Sequence, residues 1–434
     1  MTVISETGAL AEVCARMAEA EFVAVDTEFI RDRTFWPRVC LIQLATSADD
    51  AVAVDPLADG IDLAPLAELL HDPSTLKVFH SARQDLEIFY QLNQLVPAPL
   101  FDTQVAAMVC GFGDSVGFDK LVARFAQVRV DKSSQFTDWA RRPLSDRQLQ
   151  YALNDVIHLI PVYEALNAQL ERTERRAWLD EEMAVLSNPA TYTTDPAEAW
   201  KRLKLRGRGT GYLGVLKEVA RWREEQAQTR DLPRSHLLRD EAIQELAAEQ
   251  PASVEAMGRL RAVPKGLANG RLGEALLEAV QRGKALTEDD LPTPPPAPKL
   301  PRGLGPLIDL LKVLLKLRCE EADVASRLVA SASDLELLAA DDEADIAALR
   351  GWRRQLFGEE ALALKAGRIA LGAAGRTLTV VPLDPTLEPR PQPPSKPRRR
   401  RPRRSGAGNR KPEPAPQGDE SPPPPSGSAP DPTG

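Results

Sequence analysis

A short apolar run that ends in two carboxylates, Phe22-Val23-Ala24-Val25-Asp26-Thr27-Glu28-Phe29, constrains this chain more than any other stretch. Its shortness and its Val and Phe content predict a buried strand rather than a helix. Side chains alternate across a strand, which puts Asp26 and Glu28 on one face. Two carboxylates on one face of a buried strand repel each other and lose hydration, so they require a proton or a cation between them. We read a cation; a strand end turning into solvent is the alternative.

The length of 434 residues suits two or three domains. No apolar run approaches the roughly 20 residues of a membrane span. The N-terminal segment has no basic stretch followed by an apolar one, so no secretory signal is expected. Cys14, Cys40, Cys110 and Cys319 are far apart and form no C-x-x-C pair. Scattered buried thiols in a reducing cytoplasm fit that pattern better than a zinc site or a disulfide framework. The net charge of −8 is unevenly spread: residues 390–434 carry ten Lys/Arg against four Asp/Glu, a tail of +6 on a body of −14. An acidic body with a basic tail suggests metal chemistry in one place and attraction of a polyanion in another.

In chain order, residues 1–20 read as a short helix with Leu10, Val13, Cys14 and Met17 on its apolar stripe. Strands are expected at Phe22–Asp26, Val39–Ala45 and Ala51–Val54, an antiparallel start to a mixed sheet. A helix over Leu63–Leu70, a strand over Lys77–His80 and a helix over Ser81–Leu92, capped by Ser81, follow. Asp85 then sits in the first turns of a helix directly after a strand, where ligands gather in open α/β sheets. A surface acid favoured by the helix dipole is the other account of it. Leu100–Thr103 and Val105–Val109 add a strand and a helix, and Lys120–Phe125 another helix. The stretch 130–139 is too polar for a core element and reads as a surface loop. Ser145 caps a long helix to about Arg172, on which Tyr151 and Asp155, four residues apart, share one face. His158 lies near the same stripe and is left out of the chemistry.

The ordered set Asp26, Glu28, Asp85, Tyr151 and Asp155 resembles the DEDD superfamily of 3′–5′ exonucleases, in the subgroup with a tyrosine four residues before the last aspartate. The stretches VAVDTEFIRDRTFWPRVCLIQLA, KVFHSARQDLEIF, FDTQVAAM, DKSSQFTDWARRPLS and LQYALNDVIHLIPVY resemble the ribonuclease D family in particular, over roughly residues 1–185. The resemblance implies an α/β exonuclease domain, a ribonuclease H-like mixed sheet with flanking helices, followed by two all-α helical bundles and a disordered tail. It further implies two divalent metal ions, Mg²⁺ or Mn²⁺, held by the four acids. Hard cations suit an all-oxygen donor set, and such a pair, about 3.5–4 Å apart, can sit astride one scissile phosphate. By similarity, Asp26 would bridge both ions, Glu28 and Asp155 would hold the nucleophile-side ion, and Asp85 would support the second through water. Tyr151 would orient the water, since a phenol is a weak base at neutral pH. Thr27, Phe29, His80, Gln84, Lys132 and Trp139 are further expected substrate contacts, aromatic stacking and a lysine near phosphate being suited to single-stranded RNA.

Downstream, residues 186–208 read as a linker that ends in the basic run 201–208. Residues 209–289 resemble the HRDC domain shared by ribonuclease D and RecQ-type helicases, on Trp222-Arg223, Asp231-Leu232-Pro233 and Leu238-Arg239-Asp240. A proline-rich linker spans 290–302, and a second HRDC-like helical domain 303–380, with Ser333 as a cap. From 385 to 434 the chain is Pro- and Arg-rich, too poor in apolar residues to fold, and reads as a weak, nonspecific attractor of RNA phosphates, with a solubilising tail as the alternative. The expectation is a monomeric cytoplasmic 3′–5′ exoribonuclease that processes precursor tRNA 3′ ends and has no membrane partner. A DNA-directed exonuclease of the same fold, or a noncatalytic RNA-binding scaffold, is the alternative.

Overall fold

The computed structural model describes residues 3–207, 209–292 and 301–384. Arg208, residues 293–300 of the proline-rich stretch and the tail from 385 with its arginine cluster lie outside the described residues.

The first module is a six-stranded mixed sheet with helices on both faces. Its elements are β1 (Val3–Ile4), α1 (Thr7–Met17), β2 (Phe22–Ile30), β3 (Arg38–Ala45), β4 (Val52–Val54), α2 (Ala64–His71), β5 (Leu76–Phe79), α3 (Arg83–Asn93) and β6 (Leu100–Asp102). Then come α4 (Thr103–Val109), α5 (Phe118–Phe125), α6 (Asp146–Arg172) and α7 (Arg176–Leu186). The sheet order is β1-β4-β3-β2-β5-β6. β2, β3 and β4 pair antiparallel, whereas β2–β5 and β5–β6 are parallel. The antiparallel opening follows from the short connections, and the parallel half from the helices between β5 and its neighbours. Two local readings need correction. The N-terminal stretch is not helical throughout: Val3–Ile4 form an edge strand parallel to β4 before α1 buries Leu10, Val13, Cys14 and Met17. Ser81 does not cap α3; it adopts φ +60°, and Ala82 precedes the helix without a side-chain cap.

Helix α6 begins where expected because Ser145 and Gln148 form a reciprocal capping box: the Gln148 amide donates to Ser145 Oγ and the Ser145 amide to Gln148 Oε1. Its buried stripe, Val156, Leu159, Val162, Leu166 and Leu170, packs on the sheet. The Phe22 and Tyr163 rings lie 4.6 Å apart there, which identifies the face of β2 that meets α6.

The second module comprises α8 (Thr210–Arg230), α9 (Arg234–Leu237), α10 (Asp240–Glu249), α11 (Val254–Met257), α12 (Lys265–Ala268) and α13 (Arg271–Ala285). α8 and α13 approach so closely that a Cβ on Gly214 would stand 2.1 Å from the Gly283 carbonyl oxygen. The segment read as a linker is structured in part: Pro196–Arg202 is a 3₁₀ helix, and Ala199, Trp200 and Leu203 are buried in the core of this second module. The Asp231 carboxylate accepts from the amides of Phe35 and Trp36 in the β2–β3 connection, and Phe35 packs with Ala227 and Leu237.

The third module contains α14 (Gly305–Glu321), α15 (Ser326–Val329), α16 (Ala332–Ala340), α17 (Gly351–Arg353) and α18 (Glu359–Lys365). Ser331, not Ser333, caps α16, because Ser331 is placed to exchange hydrogen bonds with Asp334. The segment closes with an unforeseen hairpin of β7 (Ile369–Ala374) and β8 (Thr377–Pro382), turned at Gly375 with φ +64°. Its helices share one continuous hydrophobic core with the exonuclease sheet. Trp178 and Trp352 stack with centroids 4.1 Å apart, Arg353 pairs with Glu181 and Glu182, and the Ala325 amide donates to the Met108 carbonyl. Desolvated aromatic and apolar contacts of this kind make the two parts one folding unit rather than beads on a linker. All four cysteines are buried and free. No helix among the described residues is long and apolar enough to cross a membrane.

Candidate active site

β2 pairs with β5 only from Phe22 to Ala24 and then runs on past the carboxyl end of β5. The far end of β2 therefore borders an open crevice, the usual place for a ligand in an α/β sheet. A bulge in its pairing with β3, between Glu28 and Phe29, leaves Cys40 as the extra residue. The Arg142 guanidinium donates to the Cys40 carbonyl and to both oxygens of Asp55, which satisfies the irregular backbone beside Glu28.

Alternation along β2 turns Asp26 and Glu28 toward α6. There, one carboxylate oxygen from each of Asp26, Glu28 and Asp155 lies within 4.8 Å of the others. Thr27 faces the opposite way, and its hydroxyl donates to Asp85 Oδ1 at 2.5 Å. Asp85 is 7% exposed at the start of α3. One strand thus gathers carboxylates from both sides of the sheet.

The start of α3 is set by a residue the sequence reading overlooked. Asp102, 3% exposed at the end of β6, accepts from the amides of Ser81 and Ala82 at 2.9 and 2.8 Å, and from that of Gln104 at 2.8 Å. A single carboxylate therefore caps α4 and holds the turn into α3. Its local signal was the D-T-Q sequence, a good N-cap, but the reach back to Ser81 crosses between strands.

Burial and crowding act together on the acids. Desolvation, then repulsion from Asp155, raises Asp26 well above the usual carboxylate range. Desolvation, then Asp26, does the same to Asp85. Glu28 is pushed up to about 10 by desolvation, then by Asp26, Asp155 and Asp85. Asp155 rises to about 7 through desolvation, offset by a hydrogen bond from Tyr151 and by the charge of Lys132. The Tyr151 phenol is raised by burial and by the same carboxylates. Desolvated acids that repel one another are relieved by nearby positive charge, and an all-oxygen donor set of this kind fits a hard divalent cation.

These groups line a cleft of about 420 Å³, together with Thr27, Phe29, His80, Gln84 and Lys132. Gln135 and Asp119 also line it, and Asp119 pairs with Lys132 at 3.0 Å. Trp139 does not line it. It is 2% exposed, in a small core behind Tyr151 with ring centroids 6.1 Å apart, so a base cannot reach its face. His158 stays outside the cleft too and lines a neighbouring hollow. His80 is depressed chiefly by desolvation. The Thr103 hydroxyl spends its one proton on the Phe79 carbonyl, so it accepts from His80 Nδ1 at 2.9 Å. That leaves Nε2 of neutral His80 as an acceptor. A larger cavity of about 1160 Å³ in the second module, lined by Arg206, Arg239 and Arg261 among others, contains none of these acids.

A mixed sheet with a half-buried Asp-Glu-Asp cluster, a buried fourth aspartate and a tyrosine beside them defines the class of 3′–5′ exonucleases. A family model described as 3′-5′ exonuclease matches residues 1–171, and an HRDC domain model matches residues 213–280. The chain belongs to the ribonuclease D family of 3′–5′ exoribonucleases. It is 50% identical to ribonuclease D of Acidiphilium cryptum over 380 residues, 88% of this chain and 97% of that one. It is also 50% identical to ribonuclease D of Gluconacetobacter diazotrophicus, over 87% of this chain and 96% of that one. The crystal structure of Escherichia coli RNase D, described as an exoribonuclease involved in structured RNA processing, superposes with a TM-score of 0.74 at 30% identity, covering 84% of this chain and 98% of that one.

Proposed function

We propose that this protein shortens RNA from its 3′ end, releasing nucleoside 5′-monophosphates one at a time, with the 3′ ends of precursor tRNA as substrate. We further infer that it acts in the cytoplasm as a monomer. The observation that carries the reading is the convergence of the Asp26, Glu28 and Asp155 oxygens within 4.8 Å in the cleft. Such a cluster, half-buried and without a cationic side chain among its three members, calls for divalent cations rather than for a structural ion pair. Asp26, Glu28 and Asp155 would hold one, and Asp26 with Asp85 a second. Two such ions, when bound, acidify a water and stabilise the charge that develops on the departing 3′-oxygen.

The chain's own groups do the positioning. Hydrolysis forms a bond from a water oxygen to phosphorus and breaks the bond from phosphorus to the 3′-oxygen, which takes up a proton. Tyr151, fixed one helical turn before Asp155, orients that water through its hydroxyl. A phenol stays protonated near neutral pH, so its role is to aim and not to abstract. Lys132 meets phosphate, and His80 Nε2 accepts from a ribose hydroxyl of the terminal nucleotide. Thr27 holds Asp85 in place.

The test is degradation of 5′-labelled single-stranded RNA with Mg²⁺, with Mn²⁺ and with EDTA, beside matched DNA and the Asp26→Asn variant. A metal-dependent ladder that shortens from the 3′ end, absent in the variant, is the expected result. Preference for DNA would move the substrate assignment, and binding without shortening would make the protein a scaffold.

A further inference from the structure

The loop over residues 130–139 borders the cleft through Val130, Lys132 and Gln135. It is held firmly. Ser134 and Trp139 are buried, the Thr137 amide and hydroxyl both donate to the Ser134 carbonyl, and the Gln135 amide donates to the Lys132 carbonyl. From helix α6, Arg147 donates to Ser133 Oγ at 2.6 Å and Gln148 to Thr137 Oγ1 at 3.1 Å. Out of this anchored turn Phe136 stands 93% exposed, whereas the next most exposed large hydrophobic among the described residues, Val185, reaches 61%. Isolated apolar side chains on a surface are ordinary, but they usually lie down against their neighbours. Here the loop points a whole aromatic ring into water one residue from Gln135 of the cleft.

We propose that Phe136 is a stacking platform for a base of the RNA strand upstream of the nucleotide being removed. The proposal rests on the RNA-shortening reading above. The occupant follows from the surroundings. Arg129 is exposed and makes no ion pair among the described residues, whereas the exposed Arg147 and Lys132 side chains are paired at the surface with Asp131 at 3.3 Å and Asp119 at 3.0 Å, weak solvated contacts that a phosphate can replace. A ring on a loop that also carries Arg129 and Lys132 and is anchored by Arg147, at the rim of a cleft, suits a flexible polyanion whose bases each offer a flat face. A folded protein partner would instead ask for a broader apolar patch around the ring. Trp139, the other aromatic of the loop, is unavailable for the task.

Two readouts test the assignment in the full chain. The first is binding of a 5′-fluorescein single-stranded RNA in EDTA by fluorescence anisotropy, for the wild type, Phe136→Ala and Phe136→Trp. The second is hydrolysis of the p-nitrophenyl ester of uridine 5′-monophosphate with Mn²⁺, a substrate with no upstream base. Phe136→Ala is expected to weaken RNA binding by about 5- to 100-fold, the range of one base–aromatic stack, with the tryptophan variant restoring it. Hydrolysis of the ester is expected to be equal in all three proteins. An abasic site walked along the RNA should locate the stacked position, where base removal weakens binding by the wild type but no longer by Phe136→Ala. Equal RNA affinity in wild type and Phe136→Ala, or an alanine effect that no abasic position removes, overturns the platform. A wild type inert toward both RNA and ester overturns the hydrolytic reading instead, and the binding comparison still decides the role of Phe136.

Discussion

The Thr27 hydroxyl donates to Asp85 Oδ1 at 2.5 Å, joining the part of β2 that runs past β5 to the first turn of α3. Alternation sends Asp26 and Glu28 to one face of β2 and Thr27 to the other. The fourth acid is therefore tied to β2 through a hydroxyl from the strand's other face, while lying near enough to Asp26 for the two to repel. Replacing Thr27 by Val keeps the shape and removes the donor. A buried charged acceptor that loses its partner costs about 1–3 kcal/mol. Turnover is expected to fall by about 5- to 100-fold, with more divalent metal needed for half-maximal rate, and Thr27→Ser to recover most of it. Metal titrations of RNA hydrolysis check this; an unchanged titration in Thr27→Val would remove Asp85 positioning from the mechanism.

Asp26 is crowded from two sides, by Asp155 and by Asp85. Asp26→Asn is expected to abolish turnover while leaving RNA binding in place. The same change deletes a desolvated like charge, so the metal-free variant should melt at or above the wild-type temperature. Scanning calorimetry in EDTA beside a gel assay reads both. A variant that melts well below wild type would contradict the crowded-acid description.

The shifts of Asp155 and Glu28 give a sign for pH dependence. Asp155 sits at about 7 and Glu28 at about 10 in the fold, against roughly 3.9 and 4.3 when unfolded. Between those limits the native state binds more protons than the unfolded chain. Their contribution to stability is thus complete below the unfolded values and is lost as pH rises through about 7 for Asp155 and about 10 for Glu28. A bound cation replaces the missing protons. Mg²⁺ should therefore raise the melting temperature more near pH 8 than near pH 6, and Asp155→Asn should flatten the metal-free pH trend. A metal-free wild type whose stability rises over that window would reverse the assignment.

His80 offers Nε2 to the cleft because Nδ1 is committed to Thr103. His80→Phe removes the acceptor and retains an aromatic ring beside Phe118, which lies 5.2 Å from His80. One hydrogen bond of about 0.5–1.5 kcal/mol corresponds to a roughly 2- to 10-fold loss on RNA. Matched DNA should lose less if the bond goes to the 2′-hydroxyl. The kcat/KM ratio for the two sugars is the measurement, and an equal loss on both would place the contact on the 3′-hydroxyl.

Trp352 stacks on Trp178 inside the core that the third module shares with the sheet. Trp352→Ala is expected to cost about 3–5 kcal/mol, and to lower the melting transition of the exonuclease module itself, because no separate core exists on either side of the contact. Urea denaturation followed by Trp fluorescence and by RNA hydrolysis should lose both signals together. Activity that outlasts the fluorescence transition would show two independent units.

Short-range periodicity made much of the site legible in the sequence. A period of two along Phe22–Phe29 placed Asp26 and Glu28 on one face, a spacing of four on α6 placed Tyr151 over Asp155, and Ser145 announced where that helix begins. These follow from backbone geometry within a few residues, which tertiary context rarely overrules. The remainder depended on segments that meet only after folding. Asp102 displaced Ser81 as organiser of the turn into α3 because β6 lies beside β5, and Trp139 went into the core behind Tyr151 while its neighbour Phe136 was left in water. Trp200 joined the second module, and the helices after Gly305 merged with the sheet, because apolar surface goes wherever the fold can bury it and takes no account of linker composition. The sequence by itself thus determined which side chains share a strand face or a helix face, and its family resemblance pointed to the acids and the tyrosine to be read together. Only the tertiary structure decided how they are held, since hydrogen bonds and burial between distant segments depend on their approach and leave no local periodicity to read.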